Sequence, residues 1–175
     1  MSAEELEVVK KYLVENLDKG FIKPSQVPFV ALVLFVKKPD RSLYFYIDYR
    51  KLNLLTKKDQ YLLLLIDKTL AWIGRTKLFT KLDIWQAFHW IRIYPDSEEL
   101  TTFWTRFGAY KYKVLPFGLT NGLATYQRYM NDVLFDYLDD FYTAYLDNIL
   151  IYSDNELEYE HHVKRVLERL RNAGL

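Results

Sequence analysis

Hydrophobic and polar positions follow two periods along this chain, and the switches between them mark out its elements. Near the amino terminus Leu6, Val9, Leu13 and Leu17 recur on one helical face. Ser2-Ala3-Glu4-Glu5 ahead of them has the spacing of a capping box and Gly20 closes the segment, so an amphipathic helix is expected. Residues 29–36 and 43–49 are rich in β-branched and aromatic side chains and read as two strands, joined by the basic turn Lys37-Lys38-Pro39-Asp40-Arg41-Ser42. The leucines of 61–70 fit a buried helix or a buried strand equally. Phe79-Thr80-Lys81-Leu82-Asp83-Ile84 opens the next segment, 77–93, as a strand ending in an acid. Residues 103–114 alternate aromatic and polar around Gly108 and read as a strand pair. Pro116-Phe117-Gly118 breaks the pattern, and a helix over 123–138 follows, with Tyr126, Met130, Val133 and Leu134 on one face. Residues 143–153 set a polar pair, Asp147-Asn148, between two β-prone runs, the pattern of a hairpin. Leu157, His161, Val163, Val166, Leu167 and Leu170 then recur at helical spacing until Asn172-Ala173-Gly174 stops the segment. Periodicity supports an α+β fold.

Composition narrows the class. The 175 residues, 50% hydrophobic, suffice for one sizeable core or two small ones. No apolar run approaches the length of a membrane span and no signal-peptide pattern opens the chain, so an intracellular, soluble protein without a membrane partner is expected. The absence of cysteine excludes a disulfide framework and a thiolate metal site. With 24 basic and 23 acidic residues the net charge is +1, so a nucleic-acid partner would be held by a local patch rather than by a global field. Core and sheet packing accounts for most of the 17% aromatic content.

The candidate chemistry is carboxylate chemistry. A rigid hairpin tip can aim Asp147 at a partner acid, for which Asp83 at the end of its own strand is the best candidate. Two carboxylates sharing a site repel unless a cation lies between them, and Mg²⁺, hard and oxygen-seeking, fits that place. The competing reading of Asp147-Asn148 is a surface turn favoured for backbone reasons alone. His89, within an aromatic run, reads as structural. His161 and His162, adjacent on a helix, point to different faces and read as a solvated helix start rather than a chelate. Tyr137-Leu138-Asp139-Asp140 reads as a helix end rather than a catalytic pair, because no aliphatic strand follows it.

Four ordered blocks carry a family resemblance: Ile47-Asp48-Tyr49-Arg50-Lys51-Leu52-Asn53, the run from Phe79 into Phe88 and beyond, Leu115-Pro116-Phe117-Gly118-Leu119-Thr120-Asn121, and Tyr145-Leu146-Asp147-Asn148. They resemble the reverse transcriptases of Ty3/gypsy-type long-terminal-repeat retrotransposons, the last block matching the Tyr-x-Asp-Asp box. The resemblance implies a right-hand polymerase of fingers (approximately 1–58 and 91–121) and palm (approximately 59–90 and 122–175), with helices packed on an antiparallel palm sheet. It also implies RNA-directed DNA polymerase activity on a primed RNA or DNA template with deoxynucleoside triphosphates. Two Mg²⁺ ions (or Mn²⁺) would be held by Asp83, the main-chain carbonyl of Ile84, Asp147 and Asn148. Lys38 and Arg41 in the basic turn are the implied triphosphate contacts, Phe88 the aromatic gate beneath the sugar, and Phe117 and Gly118 the contacts with template and nucleotide. The chain stops where the family continues into a thumb and an RNase H domain, so a unit lacking the thumb is expected. Where the family has Asp, Arg and Gly this chain has Asn148, Tyr44 and Arg41. Asn148, Tyr44 and the missing thumb support a second expectation, a catalytically silent remnant or domesticated nucleic-acid-binding module.

Overall fold

The computed structural model describes residues 1–37, 39, 43–61, 74, 76–145 and 148–175, Tyr145 by its backbone. Lys38, Arg41, Asp147 and nearly all of the leucine-rich run 61–70 lie outside the described residues. The chain folds as two compact units, each made of two chain segments.

The first unit comprises Met1–Lys57 and Phe88–Gly122. Helix α1 (Ala3–Asp18) begins with the expected capping box, Ser2 and Glu5 each receiving the other's backbone N–H. It ends with Gly20 at φ +67°, where Gly20 N–H bonds Leu17 O and Phe21 N–H bonds Asn16 O, so glycine supplies the left-handed residue that turns the chain back on the last turn. Its buried face is Val9, Leu13 and Asn16, while Leu17 is exposed. At about 100° per residue Asn16 falls about 20° to one side of Val9 and Leu13 about 40° to the other, and Leu17 lies beyond the margin. Strand β1 (Ile22–Pro24) is followed by the antiparallel pair β2 (Leu32–Lys37) and β3 (Leu43–Asp48). The expected strand over 29–36 therefore starts later, and Phe29 and Val30 are exposed ahead of it, directly after Pro28. A short helix α2 (Arg50–Leu55) follows, then, after the excursion into the second unit, a 3-10 segment Pro95–Thr101. Strands β5 (Phe103–Thr105) and β6 (Gly108–Tyr112) complete the three-stranded order β1-β6-β5, with Pro24 on an edge strand where its lack of an N–H is tolerated. Val9, Leu13, Ile22, Phe45, Ile47, Tyr49, Phe103, Tyr112 and Val114 form the core. The Tyr49 hydroxyl donates to Thr101 O at 2.8 Å within it.

The second unit comprises Lys58–Ala87 and Leu123–Leu175. Strand β4 (Leu78–Asp83) pairs with β8 (Asn148–Ser153), which in turn pairs with β7 (Tyr142–Tyr145), all antiparallel, so β8 is central. Helix α3 (Gly122–Val133) is shorter than the helix expected over 123–138; a 3-10 segment Phe135–Tyr137 takes over. Because 3-10 geometry eclipses positions three apart, Leu134 and Tyr137 are both buried. Helix α4 (Glu156–Asn172) buries Val166 and Leu170. Leu157, assigned by the sequence to the same face, is 89% exposed, because at about 100° per residue it lies half a turn from Val166. No helix among the described residues is long and apolar enough to cross a membrane.

Candidate active site

In the second unit, backbone register decides what meets what. Asp83, the last residue of β4, is the Cα partner of Asn148, the first residue of β8, and Asn148 is also the partner of Tyr145. Directly opposed residues of an antiparallel pair present their side chains on one face, with Cβ atoms about 5 Å apart. The exposed positions of β4 are Phe79, Lys81 and Asp83, so the Asp83 carboxylate stands on the open face of the sheet. The opposite face is covered, with Leu82 opposed to Ile149 and Thr80 to Ile151, both of these isoleucines fully buried. Asp147 is covalently next to Asn148. The chain leaves β4 through a tight turn in which Ala87 N–H bonds Ile84 O at 3.2 Å and Gln86 takes φ +55°. The Ile84 carbonyl keeps a second lone pair beyond that bond. Asp83 and Asn148 thus stand opposite each other at one end of the sheet, with Ile84 next in the chain. Among the described residues no three acidic or imidazole side chains come together in a way that could hold a metal ion.

A buried amide holds the hairpin strand from behind. Gln127 of α3, 1% exposed, donates from Nε2 to Ala144 O of β7 and to Asn131 Oδ1, both at 3.0 Å, and Asn131 Nδ2 donates to the Tyr61 hydroxyl at 2.9 Å. Sequence reasoning gave Gln127 no role. Its signal was the polar pair Gln127 and Asn131, four apart, interrupting an apolar helix.

In the first unit two of the four motif blocks meet. Asn53 Nδ2 donates to Gly118 O at 2.7 Å while its Oδ1 accepts the Thr120 N–H at 2.8 Å, and Asn121 Nδ2 donates to Lys57 O at 3.0 Å. Gly118 has φ +94°, a left-handed conformation that glycine takes without strain. Asp48 accepts two bonds from the Arg50 guanidinium and one from its backbone N–H; these hold its carboxyl at about 2, well below the usual range. Phe88 is 6% exposed and packs on Phe117 (centroids 4.7 Å apart) and against Gly122, so its ring is part of the packed interior, while Phe117 is exposed. His89 lies between the Phe21 and Phe117 rings with Nδ1 buried and without a hydrogen-bond partner; burial, and then the Lys19 charge, lower its pKa. That is the structural histidine expected. Tyr44, Tyr46, His89 and Phe117 line a cleft of about 520 Å³ together with Lys11 and Gly118.

Asp139 and Asp140 lie in the turn after the 3-10 segment, Asp139 at φ +64°, and no aliphatic strand follows directly. His162 is not a solvated helix-start residue; its ring stacks flat on Phe141, centroids 4.0 Å apart, because it falls on the buried side of α4.

Residues 36–175 match the family described as reverse transcriptase (RNA-dependent DNA polymerase). The chain belongs to the reverse transcriptase family. This reverse transcriptase chain is 37% identical over 161 residues to the Transposon Tf2-7 polyprotein of Schizosaccharomyces pombe and 36% identical to the Tf2-3 polyprotein of the same organism; each match covers 92% of the chain and 12% of the polyprotein. The chain therefore spans about an eighth of these relatives, which stand on the Ty3/gypsy side of the family. Among solved structures it resembles the prototype foamy virus protease-reverse transcriptase CSH mutant, with a TM-score of 0.79 and 27% identity over 94% of this chain and 22% of that one. A foamy viral protease-reverse transcriptase in complex with an RNA/DNA hybrid shares the fold, with a TM-score of 0.85 and 19% identity over 99% of this chain and 23% of that one.

Proposed function

We propose that this reverse transcriptase domain is the fingers and palm of an RNA-directed DNA polymerase of a retrotransposon polyprotein, extending a primer 3′ end with deoxynucleotides. The first unit corresponds to fingers and the second to palm. The observation that carries the reading is the β4–β8 register, which sets Asp83 opposite Asn148, the residue that follows Asp147 in the chain. Asp83, the Ile84 carbonyl and Asp147, with Asn148 lending a neutral oxygen, are the hard donors that suit Mg²⁺ or Mn²⁺. A divalent ion bound there supplies charge neutralisation for the triphosphate and activation of the primer oxygen. The chain's own residues position the reactants. Lys38 and Arg41 contact the triphosphate, Phe88 lies beneath the sugar with its ring braced by Phe117, and Gly118 lets the backbone come close to template and nucleotide. Thumb and RNase H domains of the same polyprotein would grip the duplex.

Asn148 favours a second reading, a catalytically silent nucleic-acid-binding module, because it keeps an oxygen at this position but removes a negative charge from it. One experiment separates the two: primer extension on an RNA template with Mg²⁺ or Mn²⁺, comparing this chain with Asp83→Ala and Asn148→Asp, and measuring template-primer binding in parallel. The polymerase reading expects metal-dependent extension, abolished by chelation, reduced at least about 100-fold by Asp83→Ala and raised by Asn148→Asp. Binding with no extension by this chain, but extension by Asn148→Asp, establishes the silent module.

A further inference from the structure

The end of the β4–β8–β7 sheet remote from Asp83 carries a second polar hollow. In the register Leu78 pairs with Ser153 where, five residues away, Asp83 pairs with Asn148, a separation of roughly 17 Å along the strands. There a hollow of about 320 Å³ opens between the turn before β7, the end of β8 and the start of α4. Asp139, Asp140, Asp154 and Glu158 line it, and among the described residues no Lys, Arg or His forms an ion pair with any of them. Asp154 and Glu158 have a local use at the amino end of α4, where negative charge complements the helix dipole. Asp139 takes the left-handed position of its turn, a conformation that Asp tolerates, and Asp140 has no such local use. Their turn is held by backbone bonds, Asp139 N–H to Tyr142 O and Asp140 N–H to Tyr137 O.

Acidic residues at a surface are usually no more than solvated charge, and the independent observation is Tyr152. It lines the same hollow, is 5% exposed, and its hydroxyl is buried without a hydrogen-bond partner. Burial, with the charges of Asp139 and Asp140 beside it, pushes that hydroxyl up to about 12, so it stays protonated and keeps lone pairs to accept with. Buried hydroxyls are normally satisfied. The hydroxyl has lone pairs to offer a donor, and the carboxylates around the hollow favour a donor that carries positive charge. His162, its ring flat on Phe141, adds an aromatic wall.

We propose that this hollow is a docking site for an arginine side chain carried by a protein segment. A guanidinium offers several N–H donors in a plane, enough for two carboxylates and a hydroxyl acceptor at once, and its face stacks on rings; an ammonium has no such plane. A metal ion is a poorer fit, since no three ligating side chains converge among the described residues. Nucleic acid is excluded by like charge. The site is independent of the polymerase reading, as none of Asp83, Asp147 and Asn148 takes part.

The test is fluorescence anisotropy of a labelled peptide of alternating Arg and Gly at low salt, with its citrulline counterpart and with free spermidine as competitor. The proposal expects the Arg peptide to bind and the citrulline peptide not to. Asp139→Asn with Asp140→Asn should weaken binding at least about tenfold, and Tyr152→Phe several-fold. Both variants should fold, since Asn tolerates the positive φ of position 139 and Phe keeps the ring; circular dichroism checks this. Glu4→Gln with Glu7→Gln on α1 should bind as the parent does. The proposal is overturned by equal binding of citrulline, by equal losses in the α1 variant, or by a Tyr152→Phe chain that binds normally. It is also overturned if spermidine binds with the same residue dependence and displaces the peptide, which would make the site a small-cation site.

Discussion

Asn53 and His89 show how single side chains hold the first unit's loop in place. Asn53 uses both ends of its amide on one turn, accepting from Thr120 and donating to Gly118, so the Pro-Phe-Gly block takes its shape from a residue sixty-five positions earlier. His89 packs as a ring between rings, and its lowered pKa means that the fold holds it neutral. The unfolded chain binds a proton at about pH 6.5 where the folded chain does not, so stability is present above that pH and falls as pH drops below it. The thermal midpoint of the parent chain should therefore decrease between pH 7.5 and 5, and His89→Phe should flatten that decrease. A parallel pH dependence in both proteins would show that His89 does not contribute to it.

At the level of elements, the β7–β8 hairpin is held from behind by Gln127. Gln127→Leu removes the bonds to Ala144 O and Asn131 and leaves both acceptors buried and unmatched. The expected cost is about 2 kcal/mol, read as a lower urea midpoint with an unchanged denaturant slope. Hydrogen exchange should accelerate most in β7, and uniform acceleration across the chain would argue against a local role. Elements of this kind differ in how readable they are from sequence. The capping box of α1, the alternation around Gly108 and the β-prone run of β4 are local signals, and each produced the element expected. Strand β1 is three residues ending in proline and exists because β6 pairs with it; helix α2 has no side-chain cap, and its neighbours hold it. Neither has a local signal. That the Asp83 strand and the hairpin strand belong together was readable from two acid-tipped β runs; that the register sets Asn148 opposite Asp83 was not, the sequence having offered Asp147 as its partner. The Gln127 brace was not, because it depends on which carbonyl the helix happens to cross.

For the whole molecule, the decisive property is that each unit is assembled from two separate stretches of chain. The core of the first unit joins Val9, Leu13, Ile22, Phe45 and Ile47 to Phe103, Tyr112 and Val114. A fragment ending at Lys57 would leave the former set without partners. It should show no cooperative thermal transition by circular dichroism, and a sharp transition would mean that the amino-terminal stretch folds by itself. The four motif blocks follow the same plan: the first pairs with the third in one unit, and the second with the fourth in the other.

That interleaving has a consequence for how the protein is made. On a ribosome adding ~5–20 residues per second, β4 emerges seconds before the strand that must lie against it, and α1 waits longer still for Val114. Through that interval the nascent chain carries an unpaired strand edge with Phe79 and Leu82 upon it. The first unit has its last segment once Gly122 has left the tunnel, but the second must wait for α4, which ends at Asn172, so termination between the two yields a product that offers an open β4 edge to its neighbours.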